Sequence, residues 1–190
     1  MLSQTEVAKI FQDTGALLSG HFRLTSGRHG EQYFQCALVL QHPQYAEILC
    51  RELAARFQGE GVAVVIGPAM GGIIVAYETA RALGVRSLFT ERENGVMKLR
   101  RGFTLQPGEK VLVVEDVITT GGSVKEVIEV VRALGGEVIG AGVLVDRSNG
   151  TANLGVRTEA LLTMPVLSYT PEECPLCKQG LPVVKPGSRS

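Results

Sequence analysis

Two neighbouring carboxylates, Glu115 and Asp116, end the apolar run Val111-Leu-Val-Val114, and Val117 and Ile118 lead from them into Thr119-Thr-Gly-Gly-Ser123. A string of that kind between a buried strand and an amphipathic helix gathers free backbone N–H groups, close-approach glycines and three hydroxyls into an anion cradle. Ser123 with Glu126 three residues later has the spacing of a capping box, so the helix is expected to open on that pair. A phosphate monoester suits the cradle. The acids cannot bind it; they suit sugar hydroxyls, a magnesium ion or positive charge developing nearby. A phosphate held at one end and a diol held by acids at the other describe a ribose 5-phosphate. The nucleoside-triphosphate pattern G-x-x-x-x-G-K-[ST] does not occur, and no G-x-G-x-x-G follows a strand, which removes those two phosphate-binding readings.

Two further stretches extend this chemistry. Gly67-Pro-Ala-Met-Gly-Gly72 also follows an apolar run and precedes a helical pattern, so the backbone at Ala69, Met70, Gly71 and Gly72 can hold a second anion. Between Glu91 and Gly102, the cations Arg92, Lys98, Arg100 and Arg101 face only Glu91 and Glu93, a local charge of 4 minus 2, or +2. A basic loop bracketed by glycine beside a phosphate site reads as a lid that closes over pyrophosphate and excludes water. Cys174-x-x-Cys177 is a single pair. A closed zinc site needs four ligands, and Cys36, Cys50 and the scattered His21, His29 and His42 offer no second pair at metal spacing; a redox pair would open a helix after a strand, so the histidines are read as structural or exposed and the role of Cys174 and Cys177 stays open.

The elements that must carry these residues follow from periodicity. Gly61–Ile66, Val85–Thr90, Val111–Val114 and Glu137–Val145 are short β-branched runs, while Ile73–Leu83 and Val124–Leu134 have apolar positions at helical spacing and stop at glycine. Continuous apolar strands alternating with helices predict an α/β fold with a central parallel sheet flanked by helices, whose ligands bind beyond the carboxyl ends of the strands. Helical patterns at Gln4–Phe11 and Pro43–Phe57 flank irregular strands and turns, and the proline-rich segment after Leu162 is expected to wrap the core. The 190 residues are read as one domain, with a core over about 43–150 and a small hood from 1–42 and 151–190. Lys plus Arg and Asp plus Glu are both 19, so no bulk positive field calls for nucleic acid or anionic membrane. No apolar run reaches the roughly 18 residues of a membrane span, and a soluble, cytoplasmic protein is expected.

Glu115 to Ser123 resembles the phosphoribosyl pyrophosphate signature of type I phosphoribosyltransferases. Leu24-Thr-Ser-Gly-Arg28 with Tyr33-Phe34, Gly67 to Ile73, Glu91 to Phe103, Asp146-Arg147, and the tail from Cys174 to Arg189 are similar to the orotate branch in particular. The resemblance implies transfer of ribose 5-phosphate from phosphoribosyl pyrophosphate to N1 of orotate in pyrimidine biosynthesis, with Mg²⁺ held mainly by substrate pyrophosphate and ribose. It implies that Glu115, Asp116 and Lys98 serve catalysis. Arg92, Lys98, Arg100 and residues Glu115, Asp116, Val117, Ile118, Thr119, Thr120, Gly121, Gly122 and Ser123 would hold phosphoribosyl pyrophosphate, with Ala69 to Gly72 against the pyrophosphate. Thr119, Arg147, Tyr33 and Phe34 would meet orotate. It further implies a homodimer in which loop 91–103 reaches the neighbouring active site. The chain departs from the branch at Thr25 and near Gly71, where lysines are common, and at Glu93, where a basic residue is common. The alternatives are a transferase for a purine base and a non-catalytic regulator that binds phosphoribosyl pyrophosphate.

Overall fold

Ser3 opens the first helix with a complete capping box: its Oγ accepts from Glu6 N at 3.3 Å, and Glu6 Oε2 accepts from Ser3 N at 2.8 Å. The computed structural model describes residues 1–24, 26–164 and 167–185. In chain order the elements are α1 (Gln4–Asp13), β1 (Leu17–Arg23), β2 (His29–Phe34), α2 (Ala37–Leu40), α3 (Pro43–Ala55), β3 (Val64–Pro68), α4 (Gly71–Leu83) and β4 (Arg86–Glu93). They continue with β5 (Val96–Leu99), β6 (Lys110–Ile118), α5 (Gly122–Ala133), β7 (Glu137–Asp146), β8 (Thr158–Thr163), β9 (Ser168–Tyr169) and α6 (Pro175–Lys178).

Six strands form the main sheet in the order β5-β4-β3-β6-β7-β8. All neighbours are parallel except the edge strand β5, which runs antiparallel to β4. Alternation along each strand sends side chains to opposite faces. Val65, Leu112, Val114 and Leu144 pack under α1, α3 and α4 with Phe11, Leu49, Leu53, Val75 and Ala76. Val64, Ile66, Val111, Val113 and Val143 pack against Val124, Val127, Ile128 and Val131 of α5. The sheet is therefore covered on both sides, which is why its strands read as unbroken apolar runs rather than alternating ones. β8 joins the sheet beside β7, with Leu161 and Leu162 buried.

The β3–α4–β4 unit winds toward one edge of the sheet and β6–α5–β7 toward the other, so the strand order reverses between β3 and β6. A crevice opens at the carboxyl ends of strands where such a reversal occurs. Both candidate anion turns, after β3 and after β6, fall at that crevice.

A second sheet, β1-β2-β9, is antiparallel and joins N-terminal to C-terminal segments as a small hood. On this hood His21 and His29, read from sequence as structural or exposed, and Cys174 and Cys177, whose role the sequence left open, bring one ligand atom each to within 4.8 Å of one another. The sequence hid this because β1–β2 pairing and the fold-back of the tail bring together residues some 150 positions apart. Thr25 and the tail motif Pro186 to Arg189 lie outside the described residues. Among the described residues no helix is long and apolar enough to cross a membrane.

Candidate active site

β6 does not stop at its acids. It runs to Ile118, with Glu115 opposite Val143, Val117 opposite Val145, and Ile118 opposite Asp146 on β7. The expectation that the carboxylates end the strand fails because Val117 and Ile118 continue the β-branched run. On the other side, β3 pairs with β6 only as far as Ile66 opposite Val113. Glu115 and Asp116 thus lie just past the last rung shared with β3, on the wall of the crevice.

The turn after β3 presses against them. A Cβ added to Gly71 would stand 2.2 Å from Asp116 Oδ2, and one added to Gly72 would stand 3.1 Å from Glu115 Oε1. The glycines let backbone reach the acids where no side chain fits, so the two stretches 69–72 and 115–123 lie against each other. The Ala69–Met70 peptide is cis, and Met70 is exposed.

Asp116 Oδ1 accepts from Val117 N at 2.8 Å, and Glu115 Oε1 accepts from Asp116 N at 3.1 Å. Burial raises the Asp116 carboxyl above the ordinary carboxylate range, against the lowering effect of hydrogen bonds to Glu115 and backbone. A carboxyl that burial makes costlier to ionise gains from a hydroxyl donor or a cation placed beside it.

Beyond the acids, Thr119 and Thr120 are exposed and Ser123 is partly so. The capping box expected from Ser123 and Glu126 does not form. The helix is capped by Gly121, in the left-handed conformation at φ 75°, with no side-chain hydrogen bond. Glu126 is instead drawn to Arg92 at 2.8 Å. The first turn of α5 therefore keeps its donors and the Ser123 hydroxyl for something else, and a helix start with free N–H groups favours an anion. Behind Gly121 there is no room: a Cβ there would lie 2.4 Å from Leu154 Cδ2.

Arg147 follows β7, its N–H donating to Ile118 O at 2.9 Å. Asp146 is buried and fixes this turn, accepting from Ser148 N at 2.7 Å and Gly150 N at 2.9 Å. Burial lowers the Arg147 pKa, and its Nε is buried without a hydrogen-bond partner among the described residues. Tyr33 and Cys36 lie within its field, and burial raises both of their pKa values while Asp116 adds to the rise. The structure thus gathers Tyr33, Glu115, Asp116 and Arg147 in one place. It does not bring Phe34 there: Phe34 is 3% exposed and meets Phe11 edge-on, with ring centroids 5.6 Å apart. Alternation explains the difference, since adjacent residues of β2 point to opposite faces.

The basic stretch is a β-hairpin, not an irregular loop. β4 and β5 pair from Thr90 opposite Leu99 to Glu93 opposite Val96, around Asn94 and Gly95 at φ 52° and 82°. Asn-Gly between two strands is the expected signature of such a turn, a signal the charge pattern masked. Its cations are engaged: Lys98 with Glu93 at 2.6 Å, Arg100 with Glu93 at 3.1 Å and Glu91 at 3.2 Å, and Arg101 with Glu91 at 2.8 Å. These pairs are half-exposed, where ion pairs are weak and exchange readily. Lys98 lies on the sheet edge, three strand spacings from β6, or about 14 Å. Glu93, a departure from the basic residue common in the orotate branch, here holds Lys98 and Arg100.

The family profile described as "Phosphoribosyl transferase domain" matches residues 39–154, which include both anion turns, the hairpin and Arg147. The chain is 76% identical to the orotate phosphoribosyltransferase of Pelotomaculum thermopropionicum over 188 residues, 99% of each chain. It belongs to the orotate phosphoribosyltransferase family. A second relative of that name, from Caldanaerobacter subterraneus, is 58% identical over 99% of both chains. Among solved structures, the orotate phosphoribosyltransferase of Aeropyrum pernix is similar with a TM-score of 0.67 at 32% identity, covering 83% of this chain and 93% of that one. The hood strands β1 and β2 and the segment after Leu154 lie outside the matched family profile, although relatives of the orotate branch align across them.

Proposed function

We propose that this orotate phosphoribosyltransferase holds phosphoribosyl pyrophosphate across the β3–β6 crevice, with its 5-phosphate in the turn Thr119 to Ser123. The ribose hydroxyls lie on Glu115 and Asp116, and the pyrophosphate on the backbone of Ala69 to Gly72. Val117 and Ile118 set the distance between phosphate and ribose as the last residues of β6. The contact of Gly71 with Asp116 carries this reading, because it puts both anion turns and both acids within one small molecule's span.

Orotate enters on the side of Tyr33 and Arg147. The planar guanidinium of Arg147, whose Nε has no hydrogen-bond partner among the described residues, suits a carboxylate held through parallel hydrogen bonds. Thr119, exposed at the rim of the turn, stands between the phosphate and the base. Orotate N1 attacks ribose C1 as the bond to pyrophosphate breaks, and the ring passes through oxocarbenium character as in other glycosyl transfers. Asp116 and Glu115 steady that charge through the hydroxyls they hold, and no side-chain nucleophile is needed.

Magnesium suits this donor set. The paired carboxylates of Glu115 and Asp116 are hard oxygen ligands, and burial leaves the Asp116 charge poorly compensated in the protein alone. Bound with the substrate, the ion would screen the charge of the departing pyrophosphate. The remaining screening comes from Lys98, Arg92 and Arg100. Lys98 lies on the β5 edge, three strand spacings from the strand of Glu115 and Asp116, and pairs with Glu93 of its own hairpin, which supports a homodimer in which the hairpin serves the neighbouring site. To do so Lys98 and Arg100 exchange Glu91 and Glu93 for pyrophosphate oxygens.

Following loss of orotate absorbance with phosphoribosyl pyrophosphate and magnesium tests the reading, with adenine, guanine, hypoxanthine and uracil as competitors. Turnover of orotate alone is expected. Purine turnover with inert orotate would overturn the base assignment.

A further inference from the structure

In the hood, away from the crevice, four side chains point at one spot. His21 Nε2 lies 3.0 Å from His29 Nδ1, 3.5 Å from Cys174 Sγ and 3.6 Å from Cys177 Sγ, and His29 Nδ1 lies 3.2 Å from Cys177 Sγ. His21, His29 and Cys174 are buried and Cys177 is partly so. All four cysteines of the chain are free thiols.

Hydrogen bonding does not account for this cluster. His21 Nδ1 lies 2.9 Å from the carbonyl of Leu181, which can only accept, so Nδ1 carries the proton. In the neutral ring Nε2 then has a single lone pair, aimed into the cluster. One imidazole and two thiols converge on that lone pair, which can satisfy one donor well. A cation at the centre satisfies all four groups at once.

Four of the six spacings approach those of a tetrahedral shell, and all four atoms lie within 4.8 Å of one another. Zinc bonds of about 2.0–2.1 Å to nitrogen and about 2.3 Å to sulfur give edges of about 3.3 Å between nitrogens and about 3.6 Å between nitrogen and sulfur. The four observed contacts fall within about 0.4 Å of those values. The Leu181 carbonyl plays the outer-shell part usual for a metal-bound imidazole, fixing tautomer and ring orientation. Two thiolates and two imidazoles with no carboxylate select zinc over magnesium or calcium.

We propose that His21, His29, Cys174 and Cys177 form a structural zinc site that clamps the C-terminal segment onto the hood. β1 supplies His21, β2 supplies His29, and the start of α6 supplies both sulfurs as a Cys-x-x-Cys knuckle. All four positions belong to protein, so the site is closed and holds no position for substrate. Zinc entering displaces the two thiol protons, so binding strengthens as pH rises. The clamp steadies β2, and β2 carries Tyr33 to the orotate side of the crevice.

Cobalt(II) is the probe. The untagged full chain is reduced, freed of metal with a chelator and titrated with Co²⁺. One equivalent per chain is expected to give the strong visible bands of tetrahedral cobalt with a thiolate charge-transfer band, both bleached by one equivalent of Zn²⁺. Zinc should raise the melting temperature by about 5 °C or more. Cys177→Ser, at the least buried ligand, should weaken cobalt binding at least tenfold and dim the charge-transfer band. The weak spectrum of six-coordinate cobalt, no saturable binding, or equal affinity in Cys177→Ser would each overturn the proposal. So would an air-stable Cys174–Cys177 disulfide in the protein as isolated without metal.

Discussion

Burial holds the Asp116 carboxyl above its ordinary range, so ionising it costs the folded protein free energy. The sign follows from linkage. A carboxyl with a raised folded-state pKa favours the fold fully below its unfolded value of about 3.9, and that contribution is lost as pH rises through the folded value. Asp116→Asn keeps an oxygen for Val117 N and removes the charge. Its denaturation midpoint at neutral pH should therefore equal or exceed that of the parent, while turnover falls at least tenfold. A lower midpoint with unchanged turnover would make Asp116 a structural residue. Arg147 presents the opposite case, a cation whose buried Nε has no partner among the described residues. Arg147→Lys retains charge but not the fork, so KM for orotate should rise roughly 10–100-fold with KM for phosphoribosyl pyrophosphate within about threefold. Equal effects on both constants would detach Arg147 from the base.

Among elements, the turn after β3 is the most exacting. Gly71→Ala places a methyl where Asp116 Oδ2 now lies, so the acid must swing away. The fold should survive, since Gly71 is only partly buried at the start of α4, and kcat/KM for phosphoribosyl pyrophosphate should drop at least tenfold in steady-state assays. Gly121→Ala meets both a left-handed backbone and Leu154, and should cost about 1–2 kcal/mol in chemical denaturation. Much at this level is legible in the chain. The β-branched runs and glycine stops give β3, β4, β6, β7, α4 and α5 to within a few residues, because sheet strands covered on both faces must be apolar throughout. What local pattern could not give was set by partners distant in sequence. Glu126 leaves the cap for Arg92, 34 residues away. β5 is a short strand that reads as charge until β4 lies beside it. His21 and Cys174 meet only once both chain ends fold onto the hood.

For the molecule as a whole, the strand order reverses between β3 and β6, and the β4–β5 hairpin lies on the sheet edge three strand spacings from β6 while its Arg92 reaches Glu126 of α5. If Lys98 serves a neighbour, Lys98→Ala and Asp116→Asn proteins, each inactive, should restore activity when their subunits exchange. Random pairing makes half the dimers mixed with one intact site each, so about a quarter of the parent's sites should work. No recovery after demonstrated exchange would place Lys98 on its own chain's site. The signature at 115–123 and the turn at 67–72 were both readable, yet only the fold shows that they touch. The most direct measurement is a crystal structure with ribose 5-phosphate bound. Its phosphate should lie in the turn Thr119 to Ser123 and its 2- and 3-hydroxyls on Glu115 and Asp116. A sugar phosphate seated elsewhere, with that turn empty, would refute the assignment.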